Sequence, residues 1–332
     1  GHLEQAKDHY VEALQAHEAL DERQLPELAR AVDAHASALF ALGDYAQAAA
    51  QFNRAVSLRR TALGDQHRLT ADSLSNLGAA YYELGDDQLA AAVLQEAVEI
   101  YRALGFDRHQ AIGKLLNNLG LVRLRQGAVD AARALFAEAL GIHQDALGQQ
   151  HVKVVGNLNN LGLAAELGND LAQAADYYQQ AIAMQRHLLG DSHPGLALMY
   201  TNLARIEMFR QRIDAAEQLL QQALSWQRDR YADDNVNMAG TLFWLGILHC
   251  ARAEPEVALQ TLQRAHELRL SLGAQHPDTL IARGGLAVCR MRHADLTVAA
   301  RATEQRHWLA LQLHYTRDHP WHRFLAAMLN RD

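Results

Sequence analysis

Asp72-Ser73-Leu74-Ser75-Asn76-Leu77-Gly78-Ala79-Ala80-Tyr81, followed by a turn at Gly85-Asp86 and then by Ala90, Leu94 and Ala97, decides the fold of this 332-residue chain. Leu74, Leu77, Gly78 and Tyr81 share one face of a helix. Ala90, Leu94 and Ala97, at i, i+4 and i+7, share one face of a second. The glycine between them marks a tight turn. The stretch reads as a helical hairpin.

Its landmarks recur every 42 residues. Ala90 is matched by Ala6, Ala48, Ala132, Ala174, Ala216 and Ala258, and Ala97 by Ala13, Ala55, Ala139, Ala181, Ala223 and Ala265. Leu77 is matched by Leu119, Leu161, Leu203 and Leu245. Small residues at two fixed positions let helices approach closely. A fixed period of this size predicts a solenoid of stacked supersecondary units, each touching its neighbours.

The order L-G-x-x-Y, then A-x-x-x-[large]-x-x-A, resembles the tetratricopeptide repeat. Other units keep the Leu and usually the Gly, but not the Tyr. The family's usual period is about 34 residues. The longer period here, with Leu-Gly-x-x-His loops between units, resembles the kinesin-light-chain subtype. The resemblance covers nearly the whole chain. It implies an all-α fold, a right-handed superhelical solenoid of antiparallel helix pairs.

Three segments are expected. Residues 1–20 read as an orphan second helix, because Ala6, Tyr10 and Ala13 fit a repeat whose first helix is absent. That register predicts a piece of something longer, or a trimmed first repeat. Residues 21–319 hold about seven repeats, the first opened by Pro26, which is tolerated in a helix's first turn. Phe52, Leu94, Phe136 and Tyr178 are the large second-helix residues of repeats one to four. Repeat five has Gln211-Arg212 in place of a glycine turn, and repeat six has Glu254-Pro255. The step from Asn235 to His276 is one residue short, so repeat seven has Leu286 and Ala299 at the landmark positions, with Arg306 where Ala is expected. Residues 320–332 read as a capping helix, with Trp321, Phe324, Leu325 and Met328 on its apolar face.

Composition narrows the function. A net charge of −7 without a basic stripe argues against nucleic acid. No apolar run reaches the roughly 18–20 residues that span a membrane. No secretory signal is visible, and two cysteines make no disulfide framework, so a cytoplasmic setting is expected. Cys250 and Cys289, on first helices of adjacent repeats, read as buried free thiols.

His67, His109, His151, His193, His276 and His319 recur in the loops after the second helices. One per repeat places neighbours roughly 15–20 Å apart if each unit is two helices wide. Metal–nitrogen bonds are about 2 Å. The histidines are expected to pack the loops and cap the next helix, and no metal or cofactor is predicted.

Asn76, Asn118, Asn160 and Asn202 form a ladder one residue before the repeat Leu, with Asn117 and Asn159 beside two of them. Asn is a poor helix-interior residue, so a register of four wants a reason. The family resemblance implies a row of amides along a concave groove, hydrogen-bonding the backbone of a bound peptide. An inter-repeat ladder tying first helices together is the other reading. Projecting the first-helix face adds Tyr82, Lys114, Arg125 and Arg205, then Phe209, Phe243 and Trp244, the last where Asn would be expected; burial of some of these aromatics between helices is the other reading. A carboxylate clamp for a peptide's C-terminus fits loosely at Lys114 and Asn118 and nowhere else. No G-x-S-x-G, P-loop or H-E-x-x-H appears, and no enzyme is predicted.

The expected function is an interaction scaffold that binds an extended protein or peptide segment in the groove, by Asn amides for its backbone and Arg, Lys and aromatic side chains for selectivity. The alternative is a regulatory or sensory arm of a larger multidomain bacterial protein, a kinase or transcription regulator, acting by intramolecular contact or self-association.

Overall fold

Helix pairs closed by left-handed turns build the chain. The computed structural model describes residues 25–230, 235–274, 276–293 and 298–314. The expected orphan helix of residues 1–20, with Ala6, Tyr10 and Ala13, lies outside the described residues. So do His319 and the capping segment 320–332. Among the described residues there are fourteen α-helices and no strand. They are α1 Leu25–Ala41, α2 Tyr45–Leu63, α3 Arg68–Leu84, α4 Asp87–Ala103, α5 Gln110–Arg125, α6 Val129–Leu147, α7 Val152–Leu167, α8 Leu171–Leu189, α9 Gly195–Phe209, α10 Ile213–Arg230, α11 Ala239–Ala251, α12 Pro255–Leu270, α13 Pro277–His293 and α14 Val298–His314. A 3-10 turn, Val236–Met238, precedes α11. Two compact units result, Gly1–Asn160 and Leu161–Asp332, with the division inside α7.

The landmark residues do what their sizes suggest. Ala48, Ala55, Ala90, Ala97, Ala132, Ala139, Ala174, Ala181, Ala216, Ala223, Ala258 and Ala265 are all fully buried. The repeat glycine faces the large residue of its own hairpin. A Cβ at Gly78 would meet Leu94, at Gly120 the Phe136 ring, at Gly162 the Tyr178 ring and at Gly246 Leu262, each within 2.5–2.7 Å. The L-G pair therefore opens a socket that the second helix fills.

The turn inside each hairpin places one residue in the left-handed region, where glycine is favoured. Gly43, Gly85 and Gly127 hold it in repeats one to three, at φ of 84°, 80° and 78°. Asn169, Gln211 and Ala253 hold the same position later, at 62°, 63° and 60°. The turn survives the loss of its glycine. Asp44, Asp86 and Asp170 then cap the second helices, each accepting from a backbone N–H three residues on.

Repeat seven departs from its expected register. Leu286 is buried as a landmark should be, but Ala299 is exposed, and α14 turns Glu304 and Trp308 inward. Arg306, exposed on the same helix, cannot occupy the small inward position, so a different face of α14 meets α13. Arg290 pairs with Glu304 across the two helices at 3.0 Å.

Candidate functional site

The loop histidines are helix caps. Nδ1 of His67, His109, His151, His193 and His276 accepts from the backbone N–H two residues on, at 3.1–3.3 Å. Asn235 does the same for Asn237 with Oδ1, at 2.9 Å. A side-chain acceptor at the N-cap satisfies one of the orphan donors of a helix start, which explains one such residue per repeat.

A second polar register escaped the sequence reading. Arg59, Tyr101, His143, Gln185, Gln227 and Arg269 stand 42 residues apart near the ends of the second helices, and all six are buried. All but Tyr101, whose hydroxyl turns to the first helix of its own hairpin, reach toward the next repeat. Arg59 donates to Ser73 Oγ at 2.6 Å and to the Leu69 carbonyl at 2.7 Å. The Tyr101 hydroxyl donates to Asp72 at 2.5 Å. His143 meets Asn157 Oδ1 at 2.6 Å, and Gln185 meets the capping His193 at 2.8 Å. Gln227 and Arg269 donate to the carbonyls of Asn237 and Asp278. A buried polar group needs a partner, and for five of the six it is the neighbouring hairpin. One polar residue per repeat in an otherwise apolar register was the available signal.

The asparagine ladder divides. Asn117 Oδ1 accepts from Asn160 at 2.8 Å and from Asn157 at 3.3 Å, joining α5 to α7. Asn159 donates to its neighbour Asn160 at 3.5 Å, a long and weak contact. Here the inter-repeat reading describes the geometry, one position off the 42-residue register. Asn76 and Asn118 are half-buried and face no such amide partner among the described residues. Asn202 is buried.

The flanking residues divide as well. Tyr82, half-buried on α3, lies under the Arg125 guanidinium at 3.8 Å, and Arg125 Nε donates to Asp87 at 2.5 Å. Burial raises the Tyr82 hydroxyl, with Arg125 opposing. Lys114 is exposed, and it shares with Asn76 a cleft of about 230 Å³. These residues remain on a first-helix face.

Arg205, Phe243 and Trp244 do not. Each lies inside the fold, at 7%, 0% and 3% exposure, where the sequence placed them against a partner. Arg205 on α9 pairs through two 2.6 Å hydrogen bonds with the buried carboxylate of Glu166 on α7, which also accepts from the Tyr178 hydroxyl at 3.2 Å. Burial pulls Arg205 down, but Glu166 outweighs it and the guanidinium is held above its ordinary value. Trp244 packs edge-on against Phe209 at 6.0 Å and against Phe243 at 5.2 Å, with Arg205 at 5.6 Å from its ring. An aromatic at the ladder position gains more by burying its surface between helices than by lining a wet face. Phe209 is partly buried against the same cluster.

Cys250 and Cys289 are buried and free. The Cys289 contact, with burial, pushes the Cys250 thiol up. No helix among the described residues is long and apolar enough to cross a membrane.

Comparison with known proteins agrees with this anatomy. The tetratricopeptide repeat profile matches residues 27–103, 112–187 and 195–271. No curated protein matches the chain. Among solved structures, BtubC (BKLC) from P. vanneervenii superposes with a TM-score of 0.60 at 21% identity, covering 69% of this chain and 93% of that one. The putative kinesin light chain repeats of Podospora anserina give 0.54 at 21%, covering 62% and 97%. The Rap conjugation gene regulator of plasmid pLS20, solved with the Phr* peptide, gives 0.65 at 17%, covering 91% and 76%. At these identities the likeness is one of fold.

Proposed function

We infer the function from the family, for the chain belongs to the tetratricopeptide repeat proteins. We propose that it is an interaction scaffold that binds an extended protein or peptide segment across its first helices. The observation that carries this reading is the face of α3 and α5. Asn76 and Lys114 line one cleft there, Asn118 follows one turn after Lys114, and the stacked Tyr82–Arg125 pair flanks them. Amides that can both donate and accept suit a peptide backbone, and a lysine beside them adds selectivity. The buried Arg205, Phe243 and Trp244 are left out of the binding set. Asn117 and Asn160 tie α5 to α7. No catalytic residue, metal or cofactor is assigned.

A second reading, a regulatory or sensory arm, is favoured by the likeness to a conjugation gene regulator solved with a peptide. The two readings differ in the contact made: a separate extended segment in the first, a contact within a larger chain or between copies in the second.

Affinity capture from the source lysate tests the first. Wild-type protein and an Asn76→Ala/Asn118→Ala variant are compared, with circular dichroism confirming that both fold. A partner held by the wild type and lost by the variant supports first-helix binding. A partner retained equally by both contradicts it.

A further inference from the structure

The cleft between α3, α4 and α5 in the first unit combines groups of opposite demand. Asp72, Ser75 and Asn76 come from α3, Tyr101 from α4, and Lys114 from α5, with Leu115 as an apolar wall. Tyr101 is buried and donates its hydroxyl to one oxygen of Asp72, and burial first, then that bond, pushes its ionisation up. The hydroxyl is therefore committed as a donor, and it leaves the second carboxylate oxygen of Asp72 to accept. Lys114 at the mouth can only donate, and Asn76 can do either. Ser75 is 5% exposed, and its hydroxyl meets no partner among the described residues. A buried hydroxyl without a partner is costly and rare, and here its residue borders a polar cleft.

We propose that this cleft is a side-chain pocket for a carboxamide, the Gln or Asn of a bound segment. The proposal rests on the peptide-binding reading above and adds the side chain that is chosen. A carboxamide offers an NH2 to Asp72 and a carbonyl oxygen to Lys114, Asn76 or Ser75, so both signs of the cleft are satisfied at once. A carboxylate pairs with Lys114 but sets like charge against Asp72. An aliphatic side chain leaves every polar group of the pocket unmet, and such mismatches discriminate strongly. The volume of about 230 Å³ admits one side chain, not a folded element.

The test is an NMR titration of the whole chain with two blocked residues, N-acetyl-glutamine methylamide and N-acetyl-glutamate methylamide. The Gln probe is expected to shift the resonances of Ser75 and Asn76 saturably, and to bind on the order of tenfold more tightly than the Glu probe, the worth of one hydrogen bond to a charged group. Asp72→Asn keeps an acceptor for Tyr101, so it is expected to stay folded while losing that preference. Equal response to both probes, or none at these residues, overturns the proposal. A random octapeptide library, panned on the same protein, separates the two levels. Peptides that bind without Gln or Asn enrichment sink the pocket and spare the peptide reading. A pocket that takes the Gln probe while no octapeptide binds does the reverse.

Discussion

Arg205 and Glu166 are joined inside the second unit by two parallel hydrogen bonds of 2.6 Å, Nε to Oε1 and Nη2 to Oε2, with side chains 8% and 0% exposed. The Tyr178 hydroxyl completes the group. Breaking a buried pair by removing one charge costs about 3–5 kcal/mol, because the other is left stranded. Glu166→Gln is expected to lower the unfolding free energy by that order in urea titrations. Glu166→Leu combined with Arg205→Met and Tyr178→Phe is expected to recover most of it, since an apolar replacement of the whole group is often neutral. A Glu166→Gln protein as stable as wild type would show that the pair is not buried as described.

The hairpin turns offer gains. Gln211 and Ala253 hold left-handed backbone that costs an L-residue roughly 1–2 kcal/mol. Gln211→Gly and Ala253→Gly are each expected to stabilise by about 1 kcal/mol, the unfolded-state entropy of glycine offsetting part of the relief. Thermal denaturation reads this directly. Asn169→Gly gains less, since asparagine tolerates this region.

Tyr101 and Tyr178 set an alkaline limit. Both hydroxyls are raised from the ordinary value of 10.0, by burial first and then by Asp72 or Glu166. The unfolded chain therefore loses these protons at lower pH than the folded one. The stabilisation is fully present below pH 10.0 and is lost as pH rises through the folded values. Unfolding free energy is expected to fall above that pH. The fall should be shallower in a Tyr101→Phe/Tyr178→Phe variant when denaturation is followed against pH.

The two halves of the Asn117-Asn118 pair separate structure from binding. Asn117→Ala removes the acceptor for Asn160 and Asn157 and is expected to cost about 1–2 kcal/mol of stability. Asn118→Ala is expected to change stability within about 0.5 kcal/mol, the range of substitutions away from such networks. Equal losses in urea would place both residues in one network.

Sequence carries the repeat because the repeat is packing. Ala90 and Ala97 must be small, and Gly78 must admit Leu94, so size recurs at fixed spacing and can be counted. The histidine caps are legible for the same reason, one orphan helix start per repeat. Burial of individual polar and aromatic residues is harder to read, because it depends on partners far along the chain. Arg205 projects to a wet face by helical periodicity, but Glu166, 39 residues earlier, draws it inside. Trp244 breaks the ladder and packs between helices instead. Ala299 sits at the expected spacing, yet α14 presents Trp308 inward, since Arg306 spoils the face that spacing assigned. The cleft at Ser75 was hidden because Asp72, Tyr101 and Lys114 belong to three helices.

The central claim is that the first-helix face of the first unit binds an extended segment. It is tested most directly by fluorescence anisotropy with a labelled octapeptide selected against wild-type protein. Three proteins are compared: wild type, Asn76→Ala/Lys114→Met/Asn118→Ala, and a control with Gln218→Ala/Gln222→Ala on α10. The account predicts at least a tenfold loss of affinity in the first variant, about the worth of one hydrogen bond to a charged group, and none in the control. Undiminished binding by the α3–α5 variant, or loss only in the control, would contradict it.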